Sequence, residues 1–240
     1  MTHITLFFFP MYKNIFIDLD NTIWAFDQNS KETFREMYEK YHFERFFESF
    51  DQFFRIYSTK NEELWDRYGK GTITKEELNA IRYAHPFRVV GAYDQEFVET
   101  YKKDYMSHIA FKANLMPHTR EALEYLHTKY NLYILSNGFR ELQTQKLRSA
   151  KVDHYFKKII LSEDIGVHKP NIQIYHFALS ATQSELRESI MIGDNWKTDI
   201  VGAQQTGMHC IYYNPFKDTS THYPKADYEI ADWLEIKNIL

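Results

Sequence analysis

The stretch Asn14-Ile15-Phe16-Ile17-Asp18-Leu19-Asp20-Asn21-Thr22 carries the pattern on which the fold depends. Its first four residues form a short, largely apolar run without polar alternation, which is typical of a strand buried on both faces of a parallel sheet. Two acidic residues, Asp18 and Asp20, follow this run directly. The stretch therefore predicts a buried parallel strand with reactive side chains at its carboxyl end.

Four further runs have the same character, and stretches with helical spacing separate the later ones. The predicted strands are Leu132–Leu135, Lys158–Leu161, Ser189–Ile192 and Cys210–Tyr213, with a last one near Tyr228–Ile230. The predicted helices are Thr119–Tyr130, Glu141–Ala150, Ile172–Leu179, Thr198–Thr206 and Trp233–Leu240. Alternating strands and helices are typical of α/β folds with right-handed crossovers. We predict a Rossmann-like core with a parallel sheet.

The long segment between the first strand and the helix at Thr119 breaks this alternation. Its aromatic residues from Phe43 to Tyr57 recur with the i, i+3, i+4, i+7 spacing of a helix. Glu76–Tyr83 and Glu96–Met106 also have helical spacing. The pattern predicts an all-α domain inserted after the first strand.

Glycine and proline residues predict where the helices of this insert are interrupted. Gly69 and Gly71 mark one predicted break, and His85-Pro86 marks another. We predict that the helical insert spans residues 24–112 and that residues 11–23 and 113–240 form the α/β core. Residues 1–10 are interpreted as an N-terminal extension.

The composition is that of a folded protein without a strong electrostatic preference. The 240 residues carry a net charge of -4, which gives no attraction to nucleic acid polymers or to anionic membranes. No apolar run reaches the length of about 20 residues that a membrane helix needs. Cys210 is the single cysteine, as expected in a reducing compartment. We predict a cytoplasmic protein that acts as a monomer.

Polar and charged side chains of few types follow the predicted strands. They are Asp18, Asp20, Ser136, Asn137, Lys169, Asp194 and Asp199. Ligands of open parallel sheets bind beyond the carboxyl ends of the strands, so we expect these residues to converge on one crevice. Carboxylates without His or Cys select a hard cation such as Mg²⁺. Together with a hydroxyl, backbone N–H groups and a lysine, they predict a phosphate site.

These residues also resemble a known family. Asp18-Leu19-Asp20-Asn21-Thr22 matches the DxDxT motif of the haloacid dehalogenase (HAD) superfamily, and Ser136, Lys169 and Gly193-Asp194 with Asp199 match its other three motifs in order. The helical insert resembles the cap of the first subfamily. The resemblance implies the HAD fold and a Mg²⁺-dependent phosphomonoester hydrolase that acts on a small phosphate.

Further segments resemble one branch of this superfamily, the YjjG-like phosphatases, which are 5′-nucleotidases acting on pyrimidine nucleotides. The segments are Ser136-Asn137-Gly138-Phe139, Ser162–Asn171 and, less specifically, Leu64–Gly71. The branch implies a nucleoside 5′-monophosphate as substrate. Trp65 and Tyr68 are then candidate specificity residues of the cap.

The resemblance implies catalytic roles for Asp18 and Asp20 and a metal-binding role for Asp194. Asp18 would be the nucleophile that forms an aspartyl-phosphate. Asp20 would be the general acid and afterwards the general base. Asp18, Asp20 and Asp194 would hold Mg²⁺, with Asp20 contributing its backbone carbonyl.

It implies binding and positioning roles for five other residues. Ser136, Asn137 and Lys169 would bind the transferring phosphoryl group. Lys169 would also be a catalytic residue, because it would neutralise the nucleophile. Thr22 would hold the loop after the first strand. Asp199 would orient Lys169 or a metal-bound water.

Several of these features have structural interpretations. Asp199 alternatively caps the following helix, and Ser136-Asn137-Gly138 alternatively forms a plain turn. Trp65 and Tyr68 alternatively pack in the core of the cap rather than against a nucleobase.

Two other functions remain open from the sequence. A 2-haloacid dehalogenase shares the fold and the Asp nucleophile but lacks the second Asp and needs no Mg²⁺. A non-catalytic phospho-acceptor or binding module uses a similar residue set without turnover.

Overall fold

The structure is a computed structural model that describes residues 12–217 and 225–240. The extension predicted at residues 1–10 lies outside the described residues. The chain divides into two compact units. The first holds the described residues of Met1–Ile23, Met116–Ser136 and His154–Leu240, and the second holds Trp24–Leu115 and Asn137–Asp153. The domain boundaries from the sequence stay a prediction, and the two units differ from them in placing 113–115 and 137–153 with the helical unit.

The first unit contains a six-stranded sheet in the order β3-β2-β1-β4-β5-β6. The strands are β1 (Asn14–Ile17), β2 (Asn131–Ser136), β3 (Phe156–Leu161), β4 (Ser189–Gly193), β5 (His209–Tyr213) and β6 (Tyr228–Ile230). Every neighbouring pair is parallel. The predicted α/β fold and its strands are thus confirmed, with ends that differ by one or two residues.

The register of the sheet decides which loops meet. Ile17 of β1 pairs with Ile134 of β2 and with Ile192 of β4. The three strands therefore end within two residues of one another on the carboxyl edge. β1 is buried along its whole length, as its apolar sequence requires.

In the sequence, the helices of the first unit lie before β2, between β3 and β4, and between β4 and β5. They are α5 (Thr119–Leu126), α7 (Ile172–Thr182) and α8 (Val201–Thr206). The segment predicted as one helix at Thr198–Thr206 is instead a π-helix, Trp196–Ile200, that continues into α8. The C-terminal helix predicted at Trp233–Leu240 is a 3₁₀-helix that ends at Asn238.

Helices α7 and α8 pack closely because of a glycine. A Cβ at Gly202 would lie 2.4 Å from the ring of Tyr175, so only glycine allows this approach. Tyr175 belongs to the buried apolar cluster of the first unit, together with Phe16, Tyr133 and Met191 of the sheet.

The second unit is helical, as predicted for the insert. Its helices are α1 (Phe26–Lys40), α2 (Phe50–Gly69), α3 (Lys75–Val89), α4 (Gln95–Ile109) and α6 (Arg140–Ser149). None of the described helices combines the length and hydropathy needed to cross a bilayer.

The aromatic run from Phe43 to Tyr57 is not one helix. It consists of a 3₁₀-helix, Phe43–Arg45, and the beginning of α2. The Ser49 hydroxyl accepts a hydrogen bond from the Gln52 backbone N–H at 3.1 Å, and this N-cap starts the new helix. Apolar spacing alone does not reveal such a restart.

The prediction of a helix break at His85-Pro86 was wrong. Helix α3 continues to Val89 with Pro86 inside it. Proline removes one backbone donor and disfavours helix interiors. Here Pro86 lies in the last part of the helix, and both Pro86 and Phe87 are buried, so packing outweighs the local cost.

The aromatic residues of the second unit form its core around Phe43. The Phe43 side chain is fully buried, and seven other rings lie around it. They belong to Tyr38, Tyr41, Phe47, Phe53, Phe87, Phe97 and Tyr101, with centroids 5.0–6.4 Å away. The high aromatic content therefore builds the interior of a small helical unit.

We expect Phe43→Ala to lower the free energy of unfolding by about 3–5 kcal/mol, because it leaves a cavity among packed rings. Phe111→Ala is the control, since Phe111 is 67% exposed, and it should change stability by less than about 0.5 kcal/mol. Urea denaturation measures both. Equal effects of the two substitutions would show that Phe43 is not central to this core.

Candidate active site

The carboxyl ends of β1, β2 and β4 carry three of the predicted site residues. Asp18 follows β1, and its backbone N–H donates to the Ile192 carbonyl of β4 at 2.9 Å. Ser136 is the last residue of β2 and is buried. Asp194 follows directly after β4. All three lie in the first unit, as the crevice rule predicts.

Lys169 joins the residues at this edge. Its Nζ donates to Asp18 Oδ1 and to Asp199 Oδ1, each at 2.6 Å, and to the Leu135 carbonyl at 2.7 Å. An ammonium has three N–H groups, and all three are used. The Lys169 side chain is 1% exposed. Burial disfavours its charged form, but Asp18 and Asp199 outweigh burial and raise its pKa above the ordinary value.

Thr22 fixes the position of Asp194. Its hydroxyl donates to Asp194 Oδ1 at 2.7 Å and accepts from the Asp194 backbone N–H at 3.0 Å. The Thr22 carbonyl in turn accepts from Trp233 Nε1 at 2.8 Å. These bonds connect the loops after β1 and β4.

Asp199 lies in the π-helix and reaches inward to Lys169. Its Oδ2 accepts from the Asn195 backbone N–H at 3.1 Å. The N-cap of this helix is Asn195, whose side chain accepts from the Thr198 N–H. Asp199 therefore binds the start of the helix through Oδ2 and Lys169 through Oδ1. A Cβ at Gly193 would lie 2.3 Å from Asp199 Oδ2. Glycine at that position therefore leaves room for the carboxylate.

Three contributors to the site were not found from the sequence. The Leu135 carbonyl holds Lys169, the Trp233 indole holds Thr22, and the Tyr175 hydroxyl donates to the Thr198 and Asp199 carbonyls at 2.8 and 3.0 Å. A backbone oxygen and two core aromatics have no sequence signal of their own. Only the fold brings them here.

The site concentrates negative charge. Carboxylate oxygens of Asp18, Asp194 and Asp199 lie within 4.8 Å of one another. Burial, Asp199 and the nearby Asp20 raise the pKa of Asp18 to about 7, although Lys169 opposes this. Burial and the charges of Asp18 and Asp199 hold the pKa of Asp194 well above its usual range. These groups resist carrying their charges together without a cation.

The charge balance fits a divalent metal ion. Full ionisation of the three carboxylates against one ammonium would leave a net charge of −2, which a divalent cation would neutralise. The donors of this acidic group are oxygens without His or Cys, which is the ligand type that Mg²⁺ prefers. Asp199 is less suited than Asp18 and Asp194 to hold the ion, because both of its carboxylate oxygens already accept hydrogen bonds, Oδ1 from Lys169 and Oδ2 from the Asn195 N–H. Asp20 lies two residues after Asp18 and is half-buried.

The remaining predicted residues belong to the second unit. Asn137 is half-buried. The rings of Trp65 and Phe139 stack with centroids 5.1 Å apart, and Tyr68 packs edge-on against Phe139 at 5.9 Å. Phe139 also belongs to the same buried apolar cluster as Leu64. Trp65 and Tyr68 thus have a packing role, but both are only partly buried.

Comparison with known families matches most of the chain to one of them. The sequence model described as haloacid dehalogenase-like hydrolase matches residues 15–213. This range includes every residue of the candidate site in the first unit except Trp233.

Relatives of similar length exist in bacteria. YfnB of Bacillus subtilis, described as a HAD-hydrolase, is 26% identical over 232 residues, 95% of each chain. The pyrimidine 5′-nucleotidase PynA of Streptococcus pneumoniae is 25% identical over 237 residues, 95% of this chain and 97% of its own. The pyrimidine 5′-nucleotidase YjjG of Escherichia coli is 28% identical over 205 residues, 83% and 85%.

The fold is also similar to a solved structure. The crystal structure of YfnB bound to magnesium superimposes with a TM-score of 0.84 at 24% identity, covering 95% of this chain and 98% of that one. This similarity supports the fold.

We expect Lys169→Met to lower the free energy of unfolding by about 3–5 kcal/mol in buffer free of divalent cations, because it leaves buried carboxylates without their cation. Urea denaturation measures this change. Lys13→Met is the matched control, because Lys13 forms an ion pair with Glu188 but is 57% exposed. Its effect should stay below about 1 kcal/mol. A loss of similar size in the two variants would contradict the importance of the buried pair.

Proposed function

The chain belongs to the haloacid dehalogenase-like hydrolases, and we propose that it is a phosphatase that hydrolyses small phosphomonoesters through an aspartyl-phosphate. The observation that carries the proposal is the ion-pair cluster of Lys169 with Asp18 and Asp199, next to Asp194. Such a cluster holds one carboxylate in place and supplies positive charge beside it. Phosphoryl transfer depends on positioning and charge neutralisation of this kind.

Asp18 is the proposed nucleophile. A carboxylate oxygen of Asp18 attacks phosphorus, and the bond from phosphorus to the leaving oxygen breaks. Lys169 holds Oδ1 of this carboxylate at 2.6 Å, which fixes its orientation and offsets charge as the anionic phosphoryl group approaches.

Asp20 is the proposed acid and base. It donates a proton to the leaving oxygen in the first step. In the second step it takes a proton from the water that attacks phosphorus, which releases inorganic phosphate and restores Asp18. Its position two residues after the nucleophile puts both carboxyl groups on one loop.

Ser136 and Asn137 are proposed to bind the phosphoryl oxygens together with Lys169. They follow β2, the strand whose Leu135 carbonyl holds the lysine. Thr22 and Asp199 are proposed as positioning residues, Thr22 for Asp194 and Asp199 for Lys169.

The proposed cofactor is Mg²⁺, held by the carboxylates of Asp18 and Asp194 and by the Asp20 backbone carbonyl. When bound, Mg²⁺ neutralises phosphate charge and orients the transferring group. The oxygen donors and the net charge of the acidic cluster support this choice.

The proposed substrate is a pyrimidine nucleoside 5′-monophosphate. Two relatives that align over most of this chain, PynA and YjjG, are described as pyrimidine 5′-nucleotidases. The helical insert, residues 24–112, would act as the cap that selects the leaving group. We further propose that the enzyme works as a monomer in the cytoplasm.

Asp18→Asn should lower phosphate release from an aryl phosphate by about a thousandfold or more, because the amide cannot act as the nucleophile. The reaction is measured with Mg²⁺ present. Asp51→Asn, whose carboxylate is 82% exposed, should keep the wild-type rate. Retained activity in Asp18→Asn would disprove the role of this residue.

Mg²⁺ should stabilise the wild-type protein and not Asp194→Asn. At ten times its dissociation constant, a ligand stabilises by about 1.4 kcal/mol, which raises the Tm by about 3–6 °C. Asp232→Asn serves as the control, because Asp232 pairs with His118 at the surface. The same Tm increase in Asp194→Asn would place the metal elsewhere.

Activity assays distinguish the phosphatase proposal from the dehalogenase and binding-module alternatives. Wild-type enzyme that releases halide from 2-chloropropionate without metal, or that is inert on every phosphate tested with Mg²⁺, would refute the phosphatase proposal.

A further inference from the structure

Arg82 of α3 is a buried cation whose hydrogen bonds go to neutral groups. Arg82 is buried, with 4% of its surface exposed. One guanidinium nitrogen donates to Asn79 Oδ1 at 2.6 Å and the other to Asn61 Oδ1 at 3.4 Å. Among the described residues, Nε of Arg82 is buried without a hydrogen-bond partner. A buried donor without an acceptor is costly, so this position needs an explanation.

Packing against aromatic rings explains only part of the burial of Arg82. Cζ of Arg82 lies 4.6 Å from the ring centroid of Tyr83, and 5.9 Å from the rings of Trp65 and Phe139. Contacts of a cation with aromatic faces at this range are favourable. They do not provide an acceptor for Nε. Buried arginines are usually paired with a carboxylate, and the partners of Arg82 are amides.

The side chains around the guanidinium are accessible from solvent. Asn61, Trp65 and Asn79 are only partly buried, so a ligand at this surface contacts the side chains that surround the guanidinium. Nε itself is buried, so a ligand reaches it when these partly buried side chains shift. Together they offer an aromatic face, two amides and an arginine. These are the groups that recognise a flat heterocycle with hydrogen-bonding edges.

This cluster is also close to the proposed phosphate-binding loop within the second unit. The Trp65 ring stacks on Phe139, and Phe139 is two residues after Asn137. Two residues span at most about 7 Å. Because Trp65 contacts Phe139 and Phe139 is close to Asn137 in the chain, Trp65 lies near Asn137, which we have proposed as a phosphate ligand.

We propose that Arg82 is a specificity-determining residue that donates from Nε to a carbonyl oxygen of the nucleotide base, while the base lies against Trp65. This inference rests on the proposed nucleotidase function. Pyrimidine bases carry a carbonyl oxygen beside the glycosidic nitrogen, whereas adenine carries none. Arg82 thus accounts for a preference for pyrimidines by chemistry.

The test compares three substrates in wild type and Arg82→Met. They are uridine 5′-monophosphate, adenosine 5′-monophosphate and ribose 5-phosphate. Loss of a hydrogen bond from a charged donor costs about tenfold or more in binding. We expect the ratio of kcat/KM for the uridine nucleotide to that for ribose 5-phosphate to fall at least about tenfold in Arg82→Met, with no such fall for the adenosine nucleotide.

Arg88→Met is the matched control. Arg88 lies on the same helix, with Cζ 4.6 Å from the ring centroid of Tyr93, but it is exposed. Its substitution should leave all three ratios unchanged. Arg82→Lys is a second variant, which keeps a positive charge but removes Nε, and it should lose the same preference as Arg82→Met.

The Tm of Arg82→Met distinguishes a role of Arg82 in substrate recognition from a role in folding. The hydrogen-bond partners of Arg82 are neutral amides, so Arg82→Met leaves no buried charge uncompensated. Arg82→Met should therefore stay folded, with a Tm close to that of the wild type, while losing the preference. An equal loss on all three substrates, or an unchanged ratio, would overturn the assignment.

Failure of the proposed function has a different signature. Wild-type enzyme that hydrolyses none of these phosphates would refute nucleotidase activity. Calorimetric binding of uridine 5′-monophosphate to Asp18→Asn tests recognition without turnover. If adding Arg82→Met does not weaken this binding, the base assignment is wrong whatever the activity.

Discussion

The ammonium of Lys169, held between the carboxylates of Asp18 and Asp199, is the interaction on which the site depends. It lies where three strands of a parallel sheet end, and its third N–H is bound by the Leu135 carbonyl. Because the cation is buried, any shift of β1, β2 or the π-helix would leave a charge or a donor without its partner. The geometry of Asp18 is therefore coupled to the packing of the sheet itself.

The two units are stabilised in different ways. The first surrounds an acidic cluster with hydrogen bonds from Thr22, Trp233 and Tyr175. The second depends on apolar rings packed around Phe43. The polar site requires carboxylates at the ends of the strands, and the helical unit requires aromatic residues in its core. This explains why carboxylates follow the strands while the aromatic residues accumulate in the insert.

Much of the first unit could be predicted from the sequence, because buried parallel strands are short apolar runs and their carboxyl ends meet. The positions of Asp18, Lys169 and Asp194 follow from that rule alone. The restart at Ser49 and the helix that continues through Pro86 could not be predicted, since a cap and tertiary packing decide them. Nor could Arg82, whose significance is the absence of an acceptor for Nε among the described residues.

The burial of Lys169 also has a consequence for chemical reactivity. Amine-modifying reagents attack the unprotonated, accessible form of lysine, and this side chain is 1% exposed with a raised pKa. Surface lysines such as Lys13, whose side chain is 57% exposed, are open to acetylation and similar modification. The folded protein thus shields its central lysine from the reactions that alter the others, and labelling at Lys169 marks molecules whose sheet has opened.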